Sequence, residues 1–234
     1  MLMFLPIVVA LAAAEPAPAP SSSARPTPLT EIGRVRALPA CVPIVAHANG
    51  AITQALENDR TLAIITTNLH NTNFDGLNFI QRRNAIEAMM KQAEEIRKAA
   101  KAGDAEVKRL REYAVNSPDP KRQEELKTFA DALGGAIYRQ QKAATEFMRD
   151  ITIMRGREDA VEAKDLMDKN NQVPPILANS GRVQTPPPFP TPTPHPEYNR
   201  QMKYIGDTLE DMVKVIQSDE GRAADHSIAA TSGC

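Results

Sequence analysis

Tryptophan is absent from this chain of 234 residues, and aromatic residues make up only 4% of it. That scarcity argues against a thick aromatic core or an aromatic-lined pocket. It suits thin seams of Ala, Leu, Ile, Val and Met between helices. An excess of charge of either sign is also missing: the formal net charge is −1. With no basic face expected, nucleic acid and anionic membrane are poor partner candidates on charge.

Signatures of chemistry are missing as well. No P-loop, GxSxG, dinucleotide fingerprint, HExxH or CxxCH occurs. The histidines are His47, His70, His195 and His226, and no two share a helical metal-ligand spacing. The run Asn71-Thr72-Asn73-Phe74-Asp75-Gly76 matches the opening of an EF-hand loop. Its first ligand would be Asn71, however, and its bidentate acid slot falls on Arg82, which repels a cation. Asn, Asp and Gly there are what a helix-entry turn capped by Asp75 requires. Acid pairs such as Glu94-Glu95 and Glu124-Glu125 fall on polar helix faces. No cofactor, metal site or catalytic residue is expected, and the protein reads as a non-enzyme.

What is present is helical periodicity. From about 77 to 116, apolar or small residues recur in steps of three and four: Phe79, Ile86, Met89, Ala93, Ile96, Ala100, Gly103, Val107, Leu110 and Ala114. Arg82 interrupts the stripe. A second arm, 120–168, carries Leu126, Phe129, Leu133, Ile137, Gln140, Ala144, Phe147, Ile151 and Met154 in the same rhythm. Between the arms lies Ser117-Pro118-Asp119-Pro120, where the prolines stop one helix and Asp119 and Pro120 start the next. So short a connection forces an antiparallel pair.

The pairing can be tested by register. Leu110 falls opposite Leu126, Val107 opposite Phe129, Gly103 opposite Leu133, Ala100 opposite Ile137, Ala93 opposite Ala144, and Ile86 opposite Ile151. The two numbers of every pair add to nearly the same total, as an antiparallel seam requires. With Ile96, these residues define the expected hairpin seam. Gly134-Gly135, opposite Gly103, marks either a close approach of the helices or a hinge.

The flanks are simpler. Residues 1–14 (MLMFLPIVVALAAA) form an apolar stretch too short to span a membrane, with small residues before Glu15. They read as a signal peptide, although no Lys or Arg precedes them. Export to a periplasm, cell envelope or medium follows, and with it an oxidising setting in which Cys41 and Cys234 could pair. The box Leu38-Pro39-Ala40-Cys41 lacks the apolar run that lipidation requires. Residues 15–38 read as a disordered Ala/Pro/Ser-rich tether, and 170–195 as a Pro-rich spacer. A first helix at about 43–67 is expected to fold back about position 72, covering only the half of the hairpin far from its tip. A last amphipathic helix, 196–218, needs an apolar partner, and 219–234 reads as a loose tail.

The expected fold is all-α: an antiparallel helical bundle, with its helical domain at 39–169, built on a long coiled-coil-like hairpin with Pro-rich disordered flanks. The expected role is a scaffold whose helical faces bind a protein partner or a second copy, with no membrane span after signal removal. The alternative is a bundle that holds a small ligand or metal in a core lined by Met89, Met90 and Phe147.

Overall fold

A computed structural model describes residues 27–32, 41–171 and 197–231. The described residues form four helices and no strand: α1 (Val42–Asn71), α2 (Phe79–Val115), α3 (Pro120–Asn171) and α4 (Glu197–Thr231). The first three starts each have a local cause. Pro43 lies in the first turn of α1. Asn78 and Gln81 form a reciprocal capping box on α2. Asp119 accepts from the Lys121 amide at 3.0 Å, and Pro120 opens α3.

The helices pack as an up-down-up-down bundle in which each lies antiparallel to its neighbours, and α4 closes the ring against α3 and α1. The last helix therefore finds its mates within the same chain, in α3 and α1, rather than in a groove between α2 and α3. Ile86, Ala93, Ile96, Ala100, Val107 and Leu110 on α2 are buried, as are Leu126, Phe129, Leu133, Ile137, Ala144 and Ile151 on α3. Fully burying a Leu, Ile or Phe contributes about 1.5–3 kcal/mol.

Gly103 receives the end of Ile137: a Cβ added there would lie 2.9 Å from Ile137 Cδ1. Likewise a Cβ at Gly134 would lie 3.1 Å from Val107 Cγ1. The two contacts lie four and five residues along α3 from the expected pairing of Gly103 with Leu133 and of Val107 with Phe129. The cause is that helical side chains lean toward their own N-terminus, and in an antiparallel pair the two leans are opposed. Gly135 turns instead to α4, where Asp219 Oδ2 would stand 3.2 Å from an added Cβ. The glycines thus sit at close helix approaches.

Three expectations are corrected. First, α1 covers the hairpin as far as its tip. The turn after α1 occupies Thr72–Asn78, with a 3-10 turn at Phe74–Gly76, so the fold-back centres near 75 instead of 72. His47 accordingly reaches Glu106 and stands 5.9 Å, ring to ring, from Tyr113. Second, residues 27–32, expected to be part of the tether, dock on the bundle. Leu29 is buried, and Asn49 of α1 exchanges two hydrogen bonds with the backbone of Ile32, at 2.7 and 2.9 Å. Third, the expected loose tail is helical through Thr231, with Ala223, Ala224, Ser227 and Ala230 buried. Small residues alone make that stripe.

The core falls into two apolar clusters. The one at the tip holds Ala48, Ile52, Val107, Leu110, Phe129, Leu133 and Ala223, among others. The one at the base holds Leu62, Phe74, Ile86, Ile96, Phe147, Met202 and Ile216, among others. No helix among the described residues is long and apolar enough to cross a membrane. The expected signal peptide, most of the tether and the Pro-rich spacer lie outside the described residues.

Candidate functional site

Between the two apolar clusters lies a polar layer. Asn58 of α1, Gln140 of α3 and Glu220 of α4 are all buried. The Gln140 side-chain nitrogen lies 2.9 Å from the Ala55 carbonyl, 2.9 Å from Asp59 Oδ1 and 3.1 Å from Glu220 Oε1. Its two N–H groups serve three acceptors, so at least one hydrogen is shared. Asn58 donates to the Gln140 oxygen at 3.0 Å. Burial first, then the hydrogen bond to Asp59, then the negative charges of Asp59 and Asp219 push the Glu220 carboxyl up to about 9. Burial and the neighbouring acids thus favour the protonated form of Glu220. Beside it, Asp219 accepts from Arg139 and from Arg222.

Gln140 belongs to the apolar stripe of the sequence. Asn58, Asp59 and Glu220 gave no signal there, because an acid that meets a buried neighbour is spelled like one that meets water. The layer joins α1, α3 and α4 through these hydrogen bonds. What it can do is fix register: sliding any one helix would strand buried polar groups without partners.

The EF-hand-like turn is tied down by protein groups. Asn73 accepts from the Gly76 amide at 3.2 Å and from the Asn199 side chain at 2.9 Å. Phe74 is fully buried. Arg82 donates to the Phe74 carbonyl at 2.9 Å and lies over the Tyr198 ring at 4.4 Å. The residue that broke the stripe thus locks the turn to α2 and α4. The cap of α2 is Asn78, not Asp75. Asp75 exchanges hydrogen bonds with Asn199, at 3.3 and 3.4 Å.

His70, Asp207 and Glu210 place donor atoms within 4.8 Å of one another, all exposed. The sequence could not show this group, since His70 ends α1 and the acids lie on α4. His70 Nε2 sits 3.2 Å from Asp207, while Glu210 also faces Lys214 at 3.4 Å. Both contacts have the form of surface ion pairs. His226 meets Glu125 at 2.9 Å. Met89 and Phe147, named as lining for a core ligand, are packed into the base cluster, with Met90 at its margin. Cys41 is disulfide-bonded. The other cysteine of the sequence, Cys234, lies outside the described residues.

An open groove of about 720 Å³ runs between α3 and the start of α4, lined by Arg149, Arg157, Arg200, Ile153, Met154 and Tyr204, among others. Tyr204 is 71% exposed and Ile153 51%. No family model, curated protein or solved structure matches this chain.

Proposed function

We propose that the protein is a non-enzymatic, exported helical scaffold that binds a protein partner or a second copy of itself through exposed helical faces. The observation that carries this reading is the outer face of the α3–α4 pair. It exposes Tyr138 and Ile153 on α3, and Tyr204 and Val215 on α4. The α3 pair is fifteen residues apart, about 4.2 turns, and the α4 pair eleven, about 3.1 turns, so each pair falls on broadly one side of its helix. Four large apolar side chains along one side of a helix pair form an unusual surface for a solitary bundle. The need of α4 for a mate no longer supports the reading, because α1 and α3 satisfy it.

Export is supported by the apolar, uncharged residues 1–14 and by the disulfide at Cys41, a bond that an oxidising compartment favours. Sedimentation of the mature chain, with crosslinking in its native envelope, tests the whole reading. Self-association, or crosslinks to a partner from Lys142 and Lys203 beside the outer face, is expected. A monomer with no crosslinked partner overturns it.

A further inference from the structure

The groove at the base end of the bundle has a composition that the scaffold role does not require. Its walls are the stretch of α3 from Arg149 to Arg157 and the first turns of α4. Ile153, Met154, Tyr204 and Ile205 give it an apolar side. Met154 and Ile205 are buried, while Ile153 and Tyr204 stand open to solvent. Three guanidinium groups surround that side. Arg149 is ion-paired with its neighbour Asp150 at 3.1 Å. Arg157 and Arg200 have neither an ion-pair nor a hydrogen-bond partner among the described residues, and both are exposed. Among the described residues, Glu197 is the other carboxylate on the lining. The groove's 720 Å³ lies within the range of about 300–1,000 Å³ usual for small-molecule sites.

Two exposed guanidiniums without a partner among the described residues, beside an apolar trough, match one kind of molecule. A planar fork holds a carboxylate or phosphate through paired N–H donors, and the trough shields a hydrocarbon chain from water. A neutral apolar ligand would leave the arginines unused. A small hydrophilic anion would leave Ile153 and Tyr204 exposed. We propose that this groove binds a single-chain amphiphilic anion. Its acidic head is held by Arg157 and Arg200, and its chain lies against Ile153, Met154, Tyr204 and Ile205. The site is separate from the polar layer, and it shares Ile153 and Tyr204 with the outer face of α3 and α4, so an amphiphile and a protein partner would compete there.

Calorimetric titration of the full chain with dodecanoate, dodecyl phosphate, dodecyl maltoside and acetate, each below its micelle concentration, tests the proposal. At least one of the two anionic amphiphiles is expected to saturate a single site, and their ranking tells carboxylate from phosphate. Acetate and the neutral maltoside are expected to show no saturable heat. The double variant R157Q/R200Q should bind about tenfold or more weakly, by loss of charge-assisted hydrogen bonds. Glu197→Gln should bind more tightly, because it removes the opposing charge. These side chains lie at the surface, and unchanged thermal melts confirm that the variants fold. Silence from both anionic probes, equal binding of the maltoside, or an undiminished affinity in the double variant each overturns the proposal.

Discussion

Glu220 links the interior of the bundle to pH. Its carboxyl is raised from 4.5 to about 9 in the folded state. Between those values the folded chain holds a proton that the unfolded chain has released. Stability from this group is therefore fully present below about 4.5 and falls as pH rises toward 9, by up to about 1.4 kcal/mol per pH unit. Glu220→Gln keeps the shape of the side chain and removes the titration. Urea unfolding at pH 5, 7 and 9 should show the variant gaining on the parent as pH rises; parallel curves would show that Glu220 is ionised in the fold. Arg82 has a different role, since its guanidinium donates to the carbonyls of Phe74 and Leu77 at the turn. Arg82→Met should cost about 2 kcal/mol in the same assay by leaving buried acceptors unmet. Of these two residues the sequence flagged only Arg82, as a break in a stripe. Burial of Glu220 depends on which helix lies opposite, and no pattern within one helix reports that.

Among the elements, α2 and α3 were legible because large apolar residues repeat in steps of three and four on both sides of two prolines. The end of α4 was not, because its buried stripe is made of Ala223, Ser227 and Ala230, residues as common in loops as in cores. The reach of α1 was not legible because the helix runs on through residues 68–71, which read as turn, and the actual turn, 72–78 with Phe74 buried, moves the fold-back toward α2. The seam itself can be probed at Gly103. Gly103→Ala gains about 1 kcal/mol of helix propensity. It also drives a methyl group into Ile137, and overpacking costs about 1–3 kcal/mol. A net loss of about 1 kcal/mol is expected by thermal unfolding. Amides of residues 133–137 should exchange as slowly as their neighbours, since Gly134 and Gly135 lie against α2 and α4; fast exchange there would revive the hinge.

For the molecule as a whole, closure depends on the end where α1 begins. Cys41 stands at that end, with Arg122 donating to its sulfur at 3.0 Å. The C-terminal part of α4 is at the same end, where Asp225 accepts from Thr27 at 2.8 Å. A bridge from Cys41 to Cys234 would clasp the last helix to the first. Cys41→Ser, or dithiothreitol on the parent, should then lower stability by about 2–4 kcal/mol. Two free thiols by titration of the exported protein would remove the clasp.

The proton held in the middle layer also changes how the protein meets its surroundings. The formal charge of −1 counts Glu220 as ionised. With that carboxyl neutral, the folded chain carries about zero net charge near pH 7, and its native isoelectric point lies above the 6.4 of the sequence. Electrofocusing should find the parent band moving toward acid in urea, and the band of Glu220→Gln should move less. At neutral pH the intact bundle is then close to its point of least mutual repulsion, where copies approach one another most freely.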